Sequence, residues 1–277
     1  MKSGAPLPCP IYGTAWKAAR TEDLVVKAVL SGFRSIDTAC QPKHYNEAGV
    51  GSAVRILAEK GIARDALFLQ TKFTPLDGQD PLRLPYESRA PLAEQIAQSF
   101  ASSQRNLGTD YVDSLVLHSP LKTFAQTMDA WRAMEKIHRN GGALRLGISN
   151  CYDLEVLKRL SADAAVKPSI LQNRFYQDTG YDKPLRAWGR TNGIVYQSFW
   201  TLSANPHVLE HPVFEAVAQK YGKTPASILF RFLTQQGAVP LTGTCSERHM
   251  KESLDIFSFE LSKESVSKIE TLLASGQ

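Results

Sequence analysis

Short apolar runs alternate with longer amphipathic stretches along the whole chain. Phe33–Ile36, Leu67–Gln70, Val112–Leu117, Leu144–Ile148, Ser169–Leu171, Ile194–Ser198 and Ala238–Leu241 read as strands, and Ile11–Thr14 adds an eighth. Between them apolar residues recur at helical spacing. Leu92, Ile96 and Phe100 share one face, as do Phe124, Met128 and Trp131. Alternation of this kind predicts a parallel sheet with crossover helices, and eight such strands close into a barrel.

Local chemistry marks the helix ends. Thr21–Ser31 is followed by Gly32 as a stop, Thr123 to Gln126 forms a capping box, and Thr224 precedes Pro225 at a first helical position. A final helix is expected over Ser262–Leu273. Thr74–Pro91, rich in Pro, Asp and Gly, reads as a long loop that is too short to link domains, and Thr201–His211 reads as a second loop. With no internal repeat, residues 1–277 are expected to form one α/β domain, a (β/α)8 barrel.

Composition narrows the class. A length of 277 residues with 43% hydrophobic content suits one barrel of ~250 residues. The net charge of +5 comes from scattered Lys and Arg, which fits a phosphate-bearing ligand better than nucleic acid. Cys9, Cys40, Cys151 and Cys245 stand far apart, so reduced thiols and no metal site are expected. Met1–Pro10 contains three prolines and a glycine and has no secretory core, and no apolar stretch reaches the ~18 residues of a membrane span. A soluble, cytoplasmic protein is therefore expected, a monomer or weak homo-oligomer without nucleic-acid or membrane partners.

Barrel chemistry sits where strands end. Here the runs end on Asp37, Lys72, His118, Ser149-Asn150 and Gln172-Asn173. Aspartate, lysine and histidine at neighbouring ends form a coherent set if a tyrosine completes it. Reducing a carbonyl requires a proton for the developing alkoxide, and a phenol of pKa ~10 is a weak acid at pH 7. A Lys72 ammonium held charged by Asp37 would lower that pKa. His118 could donate a hydrogen bond to the substrate oxygen.

The same residues carry a resemblance. Gly-Phe-Arg-Ser-Ile-Asp-Thr-Ala (32–39), Asn-Glu-Ala-Gly-Val-Gly (46–51), Gln-Thr-Lys (70–72), Leu-Gly-Thr-Asp-Tyr-Val-Asp-Ser-Leu-Val-Leu-His-Ser-Pro (107–120) and Leu-Gly-Ile-Ser-Asn (146–150) resemble the ordered signatures of aldo-keto reductases. The resemblance runs from about Gly13 to the last helix. It implies a barrel that takes NADPH, with NADH the alternative, and reduces a small carbonyl compound through Asp37, Lys72, His118 and a tyrosine. It also implies that Ser149, Asn150 and Gln172 hold the carboxamide, that Phe199 stacks on the nicotinamide, and that Thr14 and Asp37 contribute to the cofactor site. Trp16, His44 and His118 would wall the substrate pocket.

Two stretches depart from the family pattern. Where relatives read D-T-A-x-x-Y-x-N-E, this chain reads Asp37-Thr-Ala-Cys-Gln-Pro-Lys-His-Tyr-Asn-Glu47, two residues longer. Either the longer loop swings Tyr45 into the site, or His44 takes the acid's place. Tyr45 is preferred because only a phenol makes sense of Lys72 beside Asp37. At the cofactor's 2′-phosphate end Leu241 stands for the usual lysine. Gly243 and Thr244 could then meet phosphate at a helix start, with Arg248 or Lys251 supplying charge. Glu252 falls on the family's G-T-x-x-x-x-H-L-x-E-N form. The short run after the last helix implies an open pocket and loose specificity.

Other features have ordinary readings. Gly49-Val-Gly51 follows Asn-Glu rather than a strand, so it reads as a packed helix start, not a dinucleotide fingerprint. Asp113 inside an apolar strand reads as one half of a structural ion pair, Cys40 as a small buried filler, and His138, His207, His211 and His249 as surface or capping groups. A second functional reading is an NADPH-binding sensor with negligible turnover. A third is a phosphate-binding barrel of other chemistry, which predicts no nicotinamide binding.

Overall fold

All eight expected strands form and pair in parallel in chain order: β1 (Ile11–Gly13), β2 (Ser35–Asp37), β3 (Phe68–Phe73), β4 (Ser114–Leu117), β5 (Leu146–Ser149), β6 (Ile170–Arg174), β7 (Val195–Phe199) and β8 (Val239–Thr242). Pairing of Ile11 with Leu241 closes the ring. The computed structural model describes residue 7 and residues 9–275. Several strands run past their apolar stretch, β3 to Phe73 and β6 to Arg174. Their polar ends stay in the ladder because backbone partners remain opposite them, Lys72 against Val116 and Arg174 against Phe199.

Helix Thr21–Ser31 ends at Gly32, whose φ of 125° excludes most side chains. Thr123 and Thr224 cap their helices by accepting from the backbone N–H of Gln126 and Ser227, each at 3.2 Å. The last helix covers Lys263–Ser275. Thr74–Pro91 contains only a 3-10 turn at Leu76–Gly78. Thr201–His211 departs from the loop expectation in holding a short helix, Pro206–Leu209. Asn205 anchors that segment by donating to the carbonyls of Phe175 (2.6 Å) and Thr201 (2.9 Å), contacts that composition does not reveal.

Strict alternation along the strands separates two interiors. On β3, Leu69 and Phe73 join the large apolar core between barrel and helices, and Thr71 bonds Glu47 of helix Glu47–Glu59. Phe68, Gln70 and Lys72 occupy the opposite face. Ile11, Val239 and Leu241 form a separate small apolar cluster. Buried polar side chains from β2, β3, β6 and β7 meet one another: Asp37, Gln70, Lys72, Gln172 and Gln197. A barrel interior is ordinarily filled by branched apolar residues, so a polar layer here requires a full set of partners.

The Gly49–Gly51 stretch lies in helix Glu47–Glu59, where the Asn46 side chain accepts from the Gly49 N–H at 3.0 Å. A Cβ on Gly51 would fall 2.1 Å from the Asn106 carbonyl oxygen, so only glycine lets that helix and Leu92–Leu107 approach this closely. Asp113 pairs with Arg64 at 2.8 Å. The Cys40 thiol is buried and pushed up to about 12 by that burial, which suits an inert filler. Among the described residues no helix is long and apolar enough to cross a membrane.

Candidate active site

A cavity of about 680 Å3 opens at the C-terminal ends of the strands. Trp16, His44, Tyr45 and His118 line one side, and Asn150, Gln172, Arg174 and Phe199 line the other. Beneath it the Lys72 ammonium spends all three donors inside the protein, on both Asp37 carboxylate oxygens at 2.7 Å and on the Thr38 carbonyl at 2.8 Å. Asp37 Oδ1 also accepts from Gln70 (2.7 Å) and Gln172 (3.0 Å), while Gln197 Oε1 accepts from both glutamines. Burial pushes Lys72 down, and the Asp37 charge opposes that shift.

Tyr45 is the aromatic group that lies against this pair. Lys72 Nζ is 5.1 Å from its ring centroid, and the ring meets His118 edge-on at 6.2 Å. His44 instead packs on Trp16, with ring centroids 3.7 Å apart. The longer loop therefore carries Tyr45 inward and leaves His44 on the wall. One expectation is corrected: the phenol is shifted upward, by burial first and the Asp37 charge second. The Lys72 charge, already matched by Asp37, does not reverse that rise. At neutral pH the Tyr45 proton is in place.

His118 Nδ1 lies 2.7 Å from the Thr74 hydroxyl. Thr74 is itself fixed through its carbonyl, which accepts from Tyr86 at 2.7 Å and Gln79 at 3.2 Å. When Thr74 donates to Nδ1, the ring's proton resides on Nε2. Burial, then the Lys72 and His44 charges, push His118 down to about 3, so the imidazole is neutral. An unfolded histidine takes up a proton near ~6.5, whereas folded His118 resists until about 3. The unfolded chain thus binds more protons between those values, and stability falls as pH drops through them. Urea midpoints measured at pH 7 and pH 5 should decline less in His118→Asn than in the unaltered chain. Equal declines would show that His118 is not held neutral.

The residues expected at the cofactor separate into groups. Asn150, Gln172, Phe199, Gly243 and Thr244 line the cavity. Thr14 is buried with its hydroxyl on the Asp37 carbonyl (2.9 Å), and its neighbours Gly13 and Ala15 line the wall instead. Ser149 is likewise buried, donating to the Gln172 carbonyl at 2.6 Å. Arg248 has a side chain 77% exposed, lies 3.7 Å from Glu252 and is not among the residues that line the cavity. Lys17, not singled out by sequence, donates to the Gly243 carbonyl at the cavity edge. Gln70, Gln197, Thr74 and Arg174 were also missed. Spacing could have found two of them: Gln70 stands two residues before Lys72 and Arg174 two after Gln172, hence on the same strand faces.

Comparison with known proteins identifies the family. The model of the aldo/keto reductase family matches residues 12–181 and 177–274. The chain is 33% identical over 248 residues to glyoxal reductase of Bacillus subtilis (strain 168), covering 90% of this chain and 82% of that protein. It is 30% identical over 260 residues to methylglyoxal reductase DkgA of Yersinia pestis, covering 93% and 86%. The crystal structure of an aldo/keto reductase from Brucella melitensis superposes with a TM-score of 0.82 at 29% identity, covering 98% of this chain and 97% of that one. The chain belongs to the aldo/keto reductase family.

Proposed function

We propose that this protein reduces small reactive carbonyl compounds to alcohols with NADPH, the class named in its glyoxal and methylglyoxal reductase relatives. The observation that carries this reading is Tyr45 facing the cavity between Lys72 and His118. The reduced nicotinamide, when bound, supplies the hydride.

The protein's own groups supply position and protons. Phe199 offers a flat apolar face on the wall. Gln172 has both N–H donations committed to Asp37 and Gln197, which leaves its carbonyl oxygen to accept from a carboxamide. Asn150 is held rigid by donating to the His118 carbonyl at 2.8 Å. His118, with its proton on Nε2, orients the carbonyl oxygen by hydrogen bonding. Tyr45 Oη makes no hydrogen bond within the described residues and is free to meet that oxygen. As negative charge grows there, the oxygen becomes a far stronger base than phenolate and takes the Tyr45 proton. The nearby Lys72 ammonium offsets part of the cost of the phenolate left behind.

The test is oxidation of NADPH by the purified chain with methylglyoxal, glyoxal and a panel of aldehydes and ketones, after binding of NADPH is established by fluorescence titration. Carbonyl-dependent oxidation with alcohol formed in equal amount is the expected result. Tight binding without any turnover would replace this reading with that of a cofactor sensor. Absence of nicotinamide binding would overturn both.

A further inference from the structure

The end of β6 carries a cation that the scheme above does not use. Arg174 stands two residues beyond Gln172 on the same strand face, about 7 Å further toward the barrel mouth, and lines the cavity. Its guanidinium carbon lies 4.2 Å from the Trp200 ring centroid and 5.1 Å from that of Tyr176. It enters no ion pair among the described residues, and its Nε is buried without a hydrogen-bond partner. Its backbone is tied to the site, since its N–H donates to Tyr152 Oη at 3.2 Å and that hydroxyl donates to Asn150 Oδ1 at 3.2 Å.

This arrangement is costly unless an anion completes it. An unpaired charge in a half-buried cleft forfeits hydration. Trp200 reaches Arg174 from a φ of 54°, a left-handed conformation that a bulky residue rarely adopts. The ring contacts supply no hydrogen-bond acceptor in the guanidinium plane, so its N–H fork is left to meet a planar or tetrahedral oxyanion. The other basic side chain lining the cavity, Lys17, donates to the Gly243 carbonyl, and Arg248, expected to supply charge, is not among the lining residues.

The geometry points to Arg174 as an anion receptor for the diphosphate of the dinucleotide cofactor. The assignment rests on the function proposed above. Arg174 lies opposite Phe199 in the ladder. A nicotinamide held at Phe199 and Gln172 would bring its attached phosphate within reach of Arg174, which is level with Phe199 and two residues beyond Gln172, and of Trp200, which follows Phe199.

Fluorescence titration of the full chain with NADPH, in parallel with Arg174→Gln and Arg174→Lys, tests this. Loss of a charged fork should weaken NADPH binding about 10- to 100-fold in Arg174→Gln. It should also flatten the salt dependence of binding, while KM for methylglyoxal at saturating NADPH stays within about twofold. Arg174→Lys keeps the charge without the fork and should recover part of the affinity. It also serves if the glutamine variant fails to fold, in which case native-like binding by the lysine variant at low and high salt would count against the fork. Unchanged NADPH affinity in a folded Arg174→Gln would overturn the assignment. Unchanged affinity together with a raised KM for an aldehyde bearing a carboxylate, but not for methylglyoxal, would reassign Arg174 to the substrate. If the unaltered chain binds NADPH and reduces carbonyls while Arg174→Gln behaves identically, this inference alone fails. If the unaltered chain binds no nicotinamide cofactor, the proposed function fails with it.

Discussion

Tyr45→Phe should bind NADPH as the unaltered chain does and lose carbonyl-dependent turnover by about 10^2- to 10^4-fold, the usual contribution of a positioned general acid. The substitution removes one oxygen from a ring whose place is set by Lys72 at 5.1 Å and His118 at 6.2 Å, so packing should survive. His44→Ala is the informative control. His44 rests on Trp16 at the wall, and removing it should alter KM for bulky carbonyls more than kcat. The readout is NADPH oxidation at saturating cofactor, with cofactor affinity measured separately by fluorescence. Turnover retained in Tyr45→Phe and lost in His44→Ala would move the proton donor to the histidine.

Lys72→Met should lose activity and also destabilise the fold by about 3–5 kcal/mol, the penalty for leaving one member of a buried ion pair alone. Asp37 is only 3% exposed and would keep just the amide donors of Gln70 and Gln172. The urea midpoint measures this directly. Pairing the change with Asp37→Asn removes the stranded carboxylate and should recover much of the stability without recovering turnover, because the ammonium near Tyr45 is still missing. A Lys72→Met protein as stable as the unaltered chain would show that Asp37 is not held as a buried anion. The two losses are separable because stability needs a matched charge beneath the cavity, whereas catalysis needs a positive one beside the phenol.

The eight strands, the capped helices and the strand-end residues Asp37, Lys72, His118, Asn150 and Gln172 were legible in the chain. Each depends on interactions within a few residues. Periodicity of two or near four sets which side of an element is apolar, and Gly32, Thr123 and Thr224 set where helices stop and start. Parallel alternation then leaves few topologies, and a barrel puts every strand end at one mouth. Polar residues that close apolar runs therefore converge without any knowledge of distances.

What required the tertiary structure were quantities that depend on groups distant in sequence. Spacing left both His44 and Tyr45 open, and only the chemistry of Lys72 beside Asp37 favoured Tyr45, because the loop after Asp37 is longer than the family pattern and its path depends on what it packs against. Trp16 takes His44, and Lys72 with His118 faces Tyr45. The upward shift of the phenol depends on burial and on the Asp37 charge matching Lys72 first. Gln197 enters the polar layer across the barrel from Gln70, 127 positions away. Arg174 faces the cavity and Arg248 faces solvent, although both are ordinary arginines in the sequence. Local pattern determines which elements form and what they carry to the mouth of the barrel. Closure of the ring determines which of those charges meet, because Coulomb and desolvation energies depend on distance and burial rather than on position along the chain.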